Sequence, residues 1–554
     1  MARPSPSSGR FLARAAAVTA GLTAAGALLG LVRDQILARF FGAGAETDAF
    51  LVAWTVPEFA STLLIEDAMA LILVPAFSRA LARRGGSLSP DPVSGLVRAT
   101  LPRLAFVVCA VSVLLVLSAP LLVGALAPGL PDPSLAVDCT RLTATCVLSF
   151  ALAGYCSAAL RAHGSFLPPA AIYAAYNVGI IGTVLVLHEP LGVRSAAAGV
   201  AVGGVFMVLV QAPSLIRELR RRPLPQEPVT AVSGDGRLLV VGLIAPVVLF
   251  ALTRQSQILV ERFLASPLPA GAISHLNYAQ KVAQMPMILS LMLCTVSFPV
   301  VARAMAAGDV EGARRRVERD LLLAAVVVLA GSSVVVAAAP QIIEILFQRG
   351  AFDHTDTTAT ASVMRVYALG LLGQTMVGAL ARCYFSAARP LWYPAAAMAA
   401  GLCVTALAGV PGARLWGAVG IAAANALGIT LTALLLLCGA RRQSIPVRIR
   451  PLGRGLLLLA VAAAAATGAG RLASLPFESA VVALLVAGVV AAAVFLLLLA
   501  GVPQAPDIPP LTRTASRRVA HARCHGTPHR RDSSSAAEPA SVGGDVPLDR
   551  GRPG

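Results

Sequence analysis

The sequence predicts an all-α polytopic membrane protein. About fourteen transmembrane helices are expected, as two six-helix lobes in parallel repeat around a central cavity plus two extra helices. Three observations carry this. Apolar stretches of about 20 residues recur along the 554-residue chain, each long enough to cross a bilayer as a helix. Charged residues make up only 13%, against about 25% in soluble proteins, and mean hydropathy is +0.77. Arginines gather in alternate connections between the apolar runs, the pattern of a chain threaded repeatedly through a membrane. The runs are continuous rather than alternating, which argues against a β-barrel.

The spans are expected near 12–33, 48–80, 103–127, 136–160, 168–188, 194–216, 237–262, 272–304, 320–343, 357–386, 391–410, 413–439, 452–472 and 478–501. The first follows a basic, signal-like start, "MARPSPSSGRFLARAAAVTAGLTAAGALLG". It leads directly into a patterned polar segment and is read as a retained helix, not a cleaved leader. The second and eighth contain Pro57 and Pro286 and are expected to bend. With span ends placed to within several residues, the N-terminal arm carries Arg3, Arg10 and Arg14, and the second-to-third connection carries Arg79, Arg83, Arg84 and Arg98. "RELRRRP", "GARRRVERD" and "RRQSIPVRIRPLGR" follow the sixth, eighth and twelfth, whereas "APGLPDPSLAVD", "HEPLGVR" and "PGARLW" are poor in arginine. With fourteen spans every basic connection falls on one side, which places both termini in the cytoplasm.

This divides the chain into an N-terminal arm (1–11), an N-lobe of helices 1–6 (12–216), a cytoplasmic linker (217–236), a C-lobe of helices 7–12 (237–439), helices 13–14 (440–501) and a cytoplasmic tail (502–554). The tail is rich in Pro, Ser and Arg without periodicity and is expected to be disordered. Arg517, Arg518, Arg530 and Arg531 there suit anionic lipid heads, but a solvated tail without a transport role is the favoured reading.

The halves echo each other. "VPAFSRALA" (74–82) matches "FPVVARAMA" (298–306), both Pro-x-x-x-Arg-Ala. "YCSAALRAHGSFLPPAAI" from Tyr155 matches "YFSAARPLWYPAAAM" from Tyr384 at nearly the same offset. An even number of spans per half keeps both copies in one orientation, hence parallel repeats about an axis along the membrane normal.

Net charge is +18, yet no basic stripe with interleaved aromatics appears, which argues against nucleic acid. The nine cysteines form no CxxC and lie mostly in apolar spans, as small core residues rather than a zinc site or disulfide framework. There is no Walker A sequence and no HExxH, so neither ATP hydrolysis nor a metal or other cofactor is expected. Transport energy is expected from an ion gradient or the membrane potential.

Charges within a bilayer cost about 2.5–3.5 kcal/mol each, so they mark cavities or partners. In the eighth span Asn277, Gln280, Lys281 and Gln284 share one helical face, and Lys281 is the only lysine in the chain. Arg254, Gln257 and Glu261 share a face of the seventh, and Glu58, Ser61, Thr62 and Glu66 a face of the second. In the first, Gly26 and Gly30 form a GxxxG on the side of Arg33. Together these stripes predict a polar cavity lined by spans one, two, seven and eight. Arg33, Lys281, Arg254, Ser61, Thr62, Asn277, Gln280 and Gln284 are the expected substrate contacts. Asp34, Asp48, Glu58, Glu66 and Glu261 are the expected gate or ion-pair groups. The competing reading is structural pairing, such as Arg33 with Glu66.

"GLVRDQILARFFGAGAETDAFLVAWTVPEF", "VPAFSRAL", "ILVERFLASPLPAGAISHLNYAQKVAQMP" and "ILFQRGAFDHTDT" resemble landmarks of the MviN/MurJ lipid II flippase family, within the multidrug/oligosaccharidyl-lipid/polysaccharide exporter superfamily. The resemblance covers roughly residues 15–500. It implies fourteen helices, two lobes, a central cavity and alternating access. It implies a non-enzymatic transporter that moves an undecaprenyl-pyrophosphate-linked peptidoglycan precursor across the bacterial cytoplasmic membrane. By position it implies that Arg33 meets the pyrophosphate, that Asp48 belongs to the outer gate, and that Glu66 is the acidic residue of the second helix. Lys281 stands where the family usually has arginine. Ala27, Ser61, Thr62 and Gln280 replace charged family residues, and Asp67 is added, so this cavity is less cationic than the family pattern. The implied partners are the lipid-linked saccharide, membrane lipids and peptidoglycan synthesis proteins, with the chain a monomer. The alternatives are export of another lipid-linked or small-molecule substrate, a non-transporting flippase-like scaffold, and an intramembrane enzyme on polyprenyl substrates.

Overall fold

The computed structural model describes residues 6–82, 91–220, 237–291, 309–385, 391–443 and 447–501. Side chains are described from residue 18 onward, leaving out 66–68, 70–72, 237–244, 441–443 and 501. The 502–554 tail, most of the 217–236 linker and the 298–306 repeat copy therefore lie outside the described residues, as does the side chain of Glu66. The described residues form helices and no strand.

Helix α1 (Pro6–Phe41) leads to α2 (Ala45–Ser61), which passes through a π-helical turn (Thr62–Asp67) into α3 (Ala68–Ala82). Next come α4 (Pro92–Leu117), α5 (Ala119–Leu126), α6 (Pro133–Ala144), α7 (Cys146–Ala162), α8 (Leu167–Leu191) and α9 (Arg194–Arg220). The second half contains α10 (Arg237–Ala265), α11 (Ala272–Ala283), α12 (Val310–Ala337), α13 (Ala339–Phe347), α14 (His354–Phe385), α15 (Tyr393–Gln443), α16 (Ile449–Ser474) and α17 (Ala480–Gly501).

Among the described residues, ten helices are long and apolar enough to span a membrane. One of them, Tyr393–Ala440, has 48 residues, over twice what a crossing needs, and breaks at Gly417 (φ 57°). The fourteen-span expectation divides that helix and adds α1, α10 and the 272–304 stretch, whose last residues are not described.

Local signals start several helices. The Asp91 carboxylate accepts from the backbone N–H groups of Val93 and Ser94 at the start of α4, and Asp132 accepts from Ser134 and Leu135 at the start of α6. Proline follows each cap at the first helical position, where its missing N–H costs nothing.

Small residues set the close packing. At Gly26 an added Cβ would lie 3.1 Å from Tyr173 Cβ, so the GxxxG of α1 does bring α8 close. At Gly154 of α7 an added Cβ would lie 2.0 Å from the Leu64 carbonyl oxygen, so only glycine lets α7 pass against the π turn. Tyr155 and Tyr384, aligned by the repeat, are both fully buried. Tyr155 pairs its hydroxyl with Thr100 (2.9 Å), and Tyr384 donates to the Leu436 carbonyl (2.7 Å). The cysteine expectation needs correction. Cys139, Cys146 and Cys156 are core residues, but Cys109, Cys403 and Cys438 are exposed on helix flanks.

Candidate functional site

The site begins with two neighbouring residues on α1. Arg33 is 8% and Asp34 5% exposed. The guanidinium folds back on the next residue, and Arg33 Nε (3.0 Å) and Nη2 (2.8 Å) both donate to Asp34 Oδ1. Its Nη1 donates to Asn177 Oδ1 of α8 at 3.0 Å. The Asn177 amide in turn donates to the carbonyls of Gly26 (3.0 Å) and Tyr173 (2.9 Å). The GxxxG approach of α1 to α8 thus places the amide that orients Arg33.

Lys281 arrives from α11. Its Nζ lies 3.0 Å from Asp34 Oδ2, so one carboxylate holds two cations from opposite halves of the chain. Both cations also lie over the Trp54 ring of α2, Arg33 Cζ at 4.6 Å and Lys281 Nζ at 5.8 Å from its centroid. The Lys281 side chain remains one-third exposed, so this cation is the accessible one of the pair.

A cavity of about 380 Å³ opens beside this cluster. Arg33, Trp54, Glu58, Ser61, Tyr173 and Asn177 are among its lining residues, together with Ala27. The described part of its wall comes from α1, α2, α7, α8 and α9. Of the expected contacts, Arg33 and Ser61 line this cavity and Lys281 meets it through Asp34 and Trp54. Thr62 accepts from Gln255 of α10 (3.0 Å). Gln280 is half-buried, and Gln284 reaches Gln374 of α14 (3.4 Å). Asn277 is buried with its Oδ1 unpaired, and Arg254 is exposed.

The acidic residues divide in the same way. Asp34, expected at a gate, is the shared counter-ion. Glu261 is buried and accepts from Tyr367 (2.8 Å) and Asn425, both within the second half. Arg33 pairs with Asp34 and Asn177, and the Arg33–Glu66 pair of the competing reading lies outside the described side chains. Glu58 lines the cavity, and its Oε2 is buried without a hydrogen-bond partner. The residues that sequence reasoning missed are Asn177, Trp54 and Arg262. Only Asn177 left a signal, as a lone amide in an apolar span.

Asp48 works at the end of the bundle where α1 finishes. It is buried and accepts from the backbone N–H groups of Gly271 and Ser274 (2.7 Å each) and from the Ser274 hydroxyl (2.5 Å). It therefore caps α11 from across the bundle. Gly271 has φ +95°, and an added Cβ there would lie 2.4 Å from the Ala43 carbonyl oxygen. The Ala351 N–H donates to the Arg39 carbonyl (2.9 Å), and the Gly129 N–H donates to Ser266 Oγ (3.2 Å). The two halves are therefore tied together at this end.

The family model described as lipid II flippase MurJ matches residues 37–501. The chain belongs to the MurJ family. A lipid II flippase MurJ from Burkholderia cenocepacia is 28% identical over 441 residues, covering 78% of this chain and 84% of that protein. Among solved structures, a MurJ in an inward closed conformation is similar with TM-score 0.71 at 19% identity, covering 87% of this chain and 98% of that one. An inward-facing multidrug resistance transporter of the MATE family is similar with TM-score 0.59 at 15% identity, covering 79% and 99%. The MurJ fold is thus shared, and with it the multi-pass membrane architecture.

Proposed function

We propose that this chain flips lipid II, or a similar undecaprenyl-pyrophosphate-linked saccharide, across the cytoplasmic membrane by alternating access. The observation that carries this reading is the joining of Arg33 and Lys281, from the two halves, on Asp34 beside a cavity. A pyrophosphate is a stronger, doubly charged competitor for the same donors. An arginine fork binds it bidentately, and a lysine adds a point charge. Substrate entry then releases Asp34 from its cations and couples head-group binding to the contact between the halves. Membership of the MurJ family and the names of its relatives support the choice of cargo.

The reading includes fourteen spans in two six-helix lobes plus two, both termini cytoplasmic, a monomer, and Asp48 as the closure at the outer end. Arg33, Lys281 and Ser61 contact cargo first. Thr62, Asn277, Gln280, Gln284 and Arg254 line its path once the halves separate. The test is complementation of a flippase-depleted bacterium combined with an assay of lipid II exposure on the outer leaflet. Restored growth with restored exposure is the expected result. Stable membrane insertion with neither restored overturns the reading.

A further inference from the structure

Among the described residues Glu58 is the one acidic group lining the cavity, and the ion pairs described above leave it unused. It lies four residues after Trp54 on α2, hence on the same helical face and about 6 Å further along the axis. Trp54 carries both cations. Arg33 in the cavity wall and Lys281 beside it over the same ring are thus followed, one turn on along α2, by a carboxylate with a buried, unpaired Oε2. The charged groups that act on it include the positive Arg262, Lys281 and Arg33 and the negative Asp34 and Glu261. Lys281 and Arg33 are committed to Asp34. Arg262 is buried on α10, forms no ion pair with Glu58 within 4 Å among the described residues, and has its own Nε unpaired.

A buried carboxylate oxygen without a partner is costly, and on this half-buried side chain at a cavity wall it is placed to be retained for a ligand. The charge order along α2 fits a head group of matching polarity. We propose that Glu58 receives an ammonium group of the cargo, so that the cavity selects a head group with phosphate at one end and a free amine further on. The inference rests on the lipid-linked saccharide reading and deepens it by adding the amine as a specificity element. Arg33 and Lys281 hold the phosphate, and Glu58 reads the side-chain amine of the attached peptide.

The test uses the full-length chain in lipid nanodiscs. The probes are an undecaprenyl-pyrophosphate disaccharide-peptide with a free side-chain amine and the same molecule N-acetylated at that amine. The wild type is expected to bind the free-amine form about 10-fold or more tightly than the acetylated form. Glu58→Gln, which keeps the shape and removes the charge, is expected to bind both forms alike, at the wild type's affinity for the acetylated probe. Equal binding of both probes by the wild type overturns the inference alone, as does a preference that survives in Glu58→Gln. A thermal unfolding scan accompanies the assay. If Glu58→Gln and Arg262→Met shift unfolding equally while amine discrimination persists, Glu58 answers Arg262 and the inference falls. Failure of the wild type to bind either probe overturns the flippase reading and the inference with it.

Discussion

Replacing Arg33 with alanine will reduce flipping by about 100-fold or more while leaving membrane insertion intact. The substitution removes two hydrogen bonds to Asp34, one to Asn177 and the cation over Trp54. Asp34 keeps Lys281, so the buried carboxylate is not stranded, and the fold should survive with a loss of about 1–3 kcal/mol. The cargo loses the planar fork that grips two phosphate oxygens at once. Arg33→Lys restores charge but not that geometry and should recover only part of the rate. Outer-leaflet exposure of lipid II in reconstituted vesicles measures both variants. A wild-type rate in Arg33→Ala would remove Arg33 from the binding site.

Replacing Asp48 with alanine should loosen the far end of the bundle. The carboxylate satisfies two backbone N–H groups at the start of α11 and the Ser274 hydroxyl, all in buried surroundings. A lost N-cap costs about 0.5–2 kcal/mol, and each buried donor left unpaired about 1–3 kcal/mol. A net shift of about 3 kcal/mol against the closed arrangement changes its population relative to the open one about 100-fold. Spin labels on cysteines at the exposed positions Glu46 and Thr355 report the separation across this end. The distance distribution should broaden and lengthen in Asp48→Ala. An unchanged distribution with an unchanged unfolding temperature would show that Asp48 is not the clamp.

The helical membrane architecture was legible because a bilayer imposes length and apolarity on every crossing segment. Arg33 and Lys281 were legible because a charge in such a segment is too costly to be incidental. Asp34 as their shared counter-ion was not. Neighbouring residues on a helix point different ways, and only the length of the arginine side chain lets it fold back onto residue 34. Periodicity puts Arg254 and Glu261 on one face of a helix, but it says nothing of what covers each turn. Arg254 ends exposed while Glu261 ends against Tyr367 and Asn425. Asn177 shows the opposite failure. A single amide has no period, yet it fixes the guanidinium and lines the cavity.

The central claim is that two cations from opposite halves bind a pyrophosphate at the cavity wall. The most direct test compares the affinity of the reconstituted full-length chain for an undecaprenyl-pyrophosphate saccharide and for the matching monophosphate. The diphosphate should bind about 10-fold or more tightly, and the advantage should vanish in both Arg33→Ala and Lys281→Ala. Equal affinities in the wild type, or an advantage that persists in both variants, would contradict it.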